Sequence, residues 1–218
     1  MKIGIIGSSG RLGKVLTKIL KRKNTVIACN KPECDRSVIE NADLTFLCTP
    51  LKDTIQIITE FKNVNNLIEV TSIKTPFLKY KNKIISIHPL FGPRSYNKIS
   101  FKNIIYITDI SIEGTKEKIV NLFPDYHILD MTAIEHDKFI SQQLVFPYIL
   151  SILSNKYNLD NAYTNSAFIT RKLSYIFENE NKEVLFDTII YNPYSIEIIR
   201  NLNFELNKIG GIIDDFHS

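Results

Sequence analysis

The sequence predicts an α/β protein: a doubly wound, mostly parallel sheet over residues 1–131, followed by a smaller all-helical domain over 132–218. Three observations carry that prediction. A short apolar strand, Ile3 to Ile6, runs into Gly7, Gly10 and Gly13, and a helix-period segment starts at Leu12. Apolar strands then alternate with helical segments as far as Leu129, the order that builds a parallel sheet covered on both faces. From Thr132 onward only helical periodicity remains.

The first turn defines what the sheet is for. G-x-x-G-x-x-G between a strand and a helix lets backbone approach a pyrophosphate, and the helix N-terminus favours its charge. Ser8 and Ser9 add hydroxyl donors, Arg11 adds a cation, and Leu12 begins the helix. The spacing departs from G-x-G-x-x-G, since the second glycine of that pattern would fall on Ser9. A turn that only packs a helix against a sheet is the alternative.

Leu12, Val15, Leu16, Ile19 and Leu20 mark one helix face, and Thr25 to Cys29 is the second strand. An acid at its end would bond the ribose hydroxyls of NAD. Asn30 and Lys31 stand there instead and do not repel a 2′-phosphate, so NADP is favoured over NAD. A merely solvated Lys31 is the other reading. Leu44 to Thr49 reads as a strand buried on both faces, with Thr49 and Pro50 at its carboxyl end. A helix from Lys52 to Phe61 follows. Strand Leu67 to Val70 delivers Thr71, Ser72 and Lys74 to the same edge, and a short helix spans Pro76 to Tyr80. The fifth strand, Ile84 to Ile87, ends in His88 and Pro89, and the proline forces His88 into an extended conformation. Its imidazole can accept a proton near neutrality; a satisfied loop histidine is the plainer alternative. Ile104 to Thr108, Glu113 to Phe123 and His127 to Leu129 complete the sheet domain.

Thr132 and Glu135 have the spacing of a capping box. They open a long helix expected from Ala133 toward Tyr157, with His136 and Asp137 one turn in, facing the domain junction if the helix packs against the sheet edge; for Asp137, an acid favoured near a helix N-terminus is the plainer reading. Further helices are expected over 162–177, 182–191 and 195–209.

Composition narrows the class. With 44% apolar and 23% charged residues the chain reads as an ordinary globular protein, and a net charge of +4, not gathered into a tail, suits small anions without calling for nucleic acid. Cys29, Cys34 and Cys48 form no C-x-x-C, so neither a disulfide framework nor a zinc site is expected. The first strand leaves no room for a signal peptide and no apolar run approaches a membrane span. A cytoplasmic protein without membrane partners is the expectation.

Taken together, GIIGSSGRLG at 4–13, LCTP at 47–50, VTSIK at 70–74, IHPLFGP at 87–93 and MTAIEHDKF at 131–139 give a sequence that resembles the prephenate dehydrogenase family. The resemblance runs through most of the chain, and IHPLFGP is its most specific part. It implies a Rossmann domain followed by a helical dimerisation domain, an NAD(P) cofactor, and oxidative decarboxylation of prephenate or arogenate on the way to tyrosine. The family's catalytic histidine maps onto His88, and the serine of its S-x-K segment onto Ser72. Lys74 would support the same edge, unless it is a solvated helix-start lysine. The departures lie downstream. Where the family carries a glutamine and then a histidine facing the substrate, the ungapped positions hold Leu144 and Tyr148, with Pro147 interrupting the helix. The arginine that grips a substrate carboxylate has no counterpart in place; Arg171 and Arg94 are the substitutes, each with a surface cation as its alternative. Fewer than about ninety helical residues make a thin core, so a homodimer through the helical domain is expected. Two other functions stay open: a regulatory homologue that binds dinucleotide without turnover, and an NADP-dependent reductase of another small acid or imine.

Overall fold

A computed structural model describes residues 1–30, 35–93, 95–157, 161 and 163–217. Lys31 and Arg94 fall outside the described residues. The chain divides into two compact units, Met1–His136 and Asp137–Ser218.

The first unit is a seven-stranded sheet in the order β2-β1-β3-β4-β5-β6-β7. Its strands are β1 (Lys2–Ile6), β2 (Thr25–Cys29), β3 (Leu44–Leu47), β4 (Leu67–Glu69), β5 (Ile85–Pro89), β6 (Asn103–Ile107) and β7 (His127–Met131). The first five are mutually parallel. Between them run α1 (Arg11–Leu20), α2 (Asp35–Asn41), α3 (Leu51–Glu60) and a 3-10 helix over Thr75–Tyr80; α4 (Lys116–Leu122) joins β6 to β7. Because β2 lies on one side of β1 and β3 on the other, the winding reverses at β1, where ligand crevices open in such sheets.

The doubly wound, mostly parallel architecture is as the alternation predicts, with three differences. β6 runs antiparallel to β5, pairing His88 with Ile105; among the described residues of the connection over 90–102 there is a three-residue 3-10 helix and no crossover helix. The β5 strand extends through Pro89, so His88 sits inside its ladder and not just past its end. And α2, whose buried apolar residues are only Val38 and Ile39, is too short and weakly periodic to read from sequence. Cys48 is a free thiol, and Cys34 lies outside the described residues.

The second unit holds the rest of α5 (Ala133–Ile140), a π-helical stretch Ser141–Val145, then α6 (Phe146–Ser154), α7 (Asn165–Asn179), α8 (Lys182–Tyr191) and α9 (Ser195–His217). The helix running toward Tyr157 is interrupted just ahead of Pro147, the residue expected to disturb it. Pro147 cannot donate a backbone bond into the preceding turn, and the helix widens just before it to absorb the loss. The capping box forms: Glu135 Oε2 accepts from Thr132 N at 2.8 Å, and Thr132 Oγ1 accepts from Glu135 N at 3.3 Å. Thr164 and Asn181 cap α7 and α8 in the same manner. Among the described residues no helix is long and apolar enough to cross a membrane.

Candidate functional site

Parallel pairing puts the carboxyl ends of β1 to β5 on one edge of the sheet. Gly7 leaves β1 with φ +77, a conformation that side chains rarely adopt. A Cβ on Gly13 would sit 2.2 Å from the Gly7 carbonyl oxygen, so α1 approaches the turn as closely as only glycine permits. The helix starts at Arg11 with Gly10 as its N-cap and no side chain capping it. A dinucleotide pyrophosphate needs this bare, close-approaching backbone at a helix N-terminus, and the turn fits it.

Asn30 closes the turn from β2. Its Oδ1 accepts from Ser9 N at 2.6 Å and from Ser8 Oγ at 2.7 Å, which identifies the amide oxygen and leaves the NH2 as the other polar end. At the end of β3, Thr49 Oγ1 lies 2.8 Å from Thr54 Oγ1, and Pro50 caps α3. Desolvation pushes the Cys48 thiol up to about 12, so it stays protonated beside the turn.

Beneath the next two strands lies a feature the sequence reading overlooked. Glu69, at the end of β4, is fully buried and ion-paired with the equally buried Lys74, Nζ to Oε1 2.6 Å. Ser86 Oγ donates to the same carboxylate oxygen, and Thr71 donates to Oε2 through both N and Oγ1 at 2.9 and 2.8 Å. Lys74 Nζ also donates to the Ile87 carbonyl at 2.8 Å. Lys74 is thus not a solvated lysine. It fastens the loop that carries the half-buried Ser72 to the strand that carries His88. An acid inside the apolar run Leu67–Val70 was the available signal, since a strand buried on both faces does not take a carboxylate without a partner.

His88 is 6% exposed. Its Nδ1 lies 2.9 Å from His136 Nε2, joining the end of β5 to the first turns of α5. Burial first, then the neighbouring His136 and Lys74, hold the His88 imidazole well below its ordinary range. It is therefore neutral at pH 7 and has a lone pair to offer. In the second unit, Tyr148 is buried on α6, and Arg171 on α7 binds Glu178 at 2.8 Å and Ser174 at 2.9 Å.

A seven-stranded, mostly parallel sheet with a glycine turn at the end of β1, in a chain that continues into a helical unit, is a Rossmann-type fold. Among solved structures, prephenate dehydrogenase from A. aeolicus in complex with hydroxyphenyl propionate and NAD+ has this fold, at TM-score 0.72 and 14% identity over 99% of this chain and 91% of that one. Synechocystis arogenate dehydrogenase matches at TM-score 0.65 and 17% identity, over 99% and 92%. An imine reductase from Bacillus cereus is more distant, at TM-score 0.53 and 14% identity over 86% and 75%. No family model matches the chain, and no curated protein sequence does.

Proposed function

We propose that this chain is a prephenate or arogenate dehydrogenase that oxidises and decarboxylates its cyclohexadienyl substrate with NADP in preference to NAD. One observation carries the reading: His88, in the IHPLFGP stretch at the carboxyl edge of a parallel sheet, is buried, neutral and hydrogen-bonded. The fold shared with the A. aeolicus and Synechocystis enzymes supports it.

Gly7, Ser8, Ser9, Gly10, Arg11, Leu12 and Gly13 would hold the pyrophosphate, with Thr49 and Pro50 alongside. Asn30 presents an amide donor and no acid where the ribose would lie, which supports the 2′-phosphate. Bound there, the nicotinamide dinucleotide supplies the hydride acceptor. His88 hydrogen-bonds the substrate hydroxyl through Nε2 and takes its proton as the carbonyl forms, help typically worth ~10²- to 10⁴-fold. Ser72 orients the same hydroxyl. Tyr148 and Arg171 are the candidates for substrate contact, with Arg171 released from Glu178 to grip a carboxylate, whereas His136 is fully buried against His88. The cytoplasm is the proposed compartment.

The test is the appearance of reduced cofactor with prephenate and, separately, arogenate. Wild type should turn over one of them, faster with NADP than with NAD. His88→Asn should lose about 10²-fold or more in kcat while folding normally. A folded wild-type protein that binds the cofactor and turns over neither substrate leaves the regulatory reading.

A further inference from the structure

His88 and His136 meet with their rings 5.1 Å apart between centroids and inclined at 62°, Nδ1 against Nε2. Both are buried, His136 completely. Two facing imidazole nitrogens repel if both carry hydrogen and form no bond if both are bare, so one proton sits between them. Which ring owns it fixes both tautomers. If His136 donates, the neutral His88 keeps its only hydrogen on Nε2 and has no lone pair for an alcohol proton. If His88 donates from Nδ1, its Nε2 is bare.

We propose that His136 is a positioning residue: its Nε2 accepts the Nδ1–H of His88 and so holds His88 in the tautomer whose Nε2 can take a proton. This rests on the reading of His88 as the proton acceptor. When the substrate O–H bond breaks and the Nε2–H bond forms, His88 becomes an imidazolium that still donates from Nδ1 to a neutral ring. That ring spreads the charge and keeps the imidazole plane fixed. The buried Lys74 bears on the same pair. Its ammonium is bonded to the carbonyl of the residue before His88, and a resident positive charge disfavours a second one nearby before the reaction. His136 thereby does for His88 what a carboxylate does in a hydrolase triad, without adding a charge.

Two measurements decide it. Two-bond 1H–15N spectra of the whole protein with labelled histidine, assigned with His88→Asn and His136→Gln, should show His88 protonated at Nδ1 and bare at Nε2, with His136 bare at Nε2. Hydrogen on His88 Nε2 overturns the proposal. Glutamine at position 136 offers a carbonyl that can accept the same bond, whereas phenylalanine cannot. His136→Phe should lower kcat about 100-fold with KM within about twofold, and His136→Gln should recover most of that. Wild-type rates from His136→Phe, or a glutamine variant no better than phenylalanine, overturn the proposal. Should His136→Phe fail to fold, the wild-type spectrum decides alone. If the wild type turns over neither prephenate nor arogenate, the catalytic reading falls, and the tautomer is still settled by the spectrum.

Discussion

In the sheet unit, β3, β4 and β5 are buried along their whole length, and Phe46, Phe77, Phe91 and Phe123 pack between sheet and helices. In the helical unit only Ile140, Val145, Tyr148 and Leu185 are buried apolar residues among those described, while Phe204, Ile212 and Phe216 on α9 are 68%, 62% and 84% exposed. The difference follows from geometry. A parallel sheet lies between helices and supplies two apolar faces of its own. A handful of short helices has no such interior unless something covers it. The sheet unit can therefore hold charges deep inside, as at Glu69 and Lys74, whereas the helical unit leaves apolar side chains of α9 exposed.

The buried ion pair gives the largest effect. Lys74→Met leaves the Glu69 carboxylate without its cation and should destabilise the sheet unit by about 3–5 kcal/mol in denaturant titrations. Adding Glu69→Leu should recover most of that, since an apolar pair of similar volume avoids the desolvation penalty. A single variant within about 0.5 kcal/mol of wild type would mean the pair does not organise this part of the sheet.

A smaller effect should follow from charging the exposed face of α9. If a second copy covers it, Ile212→Glu should weaken the dimer by about 2 kcal/mol, the scale of an interface anchor. Hydrogen exchange in α8 and α9 should then rise on dilution while the sheet unit stays protected. A protein that runs as a monomer at micromolar concentration with α9 fully protected would remove the contrast between the units.

Different parts of this were legible in the sequence for different reasons. The strand-turn-helix at Lys2–Leu20 is written in local terms, an apolar run, three glycines and a 3.6-residue period, and its strand and helix form where the pattern puts them. The capping box at Thr132 is equally local. What was hidden depended on distant partners. His136 has nothing in its own neighbourhood to announce a bond to a residue 48 positions earlier. Glu69 passes unremarked inside an apolar strand, because Lys74, Ser86 and Thr71 close around it only in the fold. The β5–β6 reversal lies in how two strands pair, which periodicity does not report. The π-helical stretch was half legible: Pro147 announced a disturbance, and whether the helix would break or widen depended on packing.

The smallest predicted effect tests whether the imidazole of His88 is neutral as well as buried. Its basicity in the folded protein lies well below the ordinary value of 6.5, which the unfolded chain recovers. Above pH 6.5 both states leave it neutral, and folding is indifferent to pH through this group. Below 6.5 the unfolded chain binds a proton that the folded one refuses, so stability falls as pH drops toward the folded value. The slope approaches at most about 1.4 kcal/mol per pH unit, the contribution of one proton. His88→Asn carries no such proton and should lose less stability as pH falls below 6.5, so the difference between the two proteins should shrink on acidification and level off well above pH 7. The same sign governs catalysis: the base form persists below pH 6.5, so the acid limb of kcat/KM should fall well under that value. Because His88 sits in the β5 ladder, amides of β5 should lose protection on acidification before those of α9. A stability difference independent of pH from 7 to 5 would mean that His88 takes up its proton in the fold as readily as in the unfolded chain, and the buried neutral base would have to be abandoned.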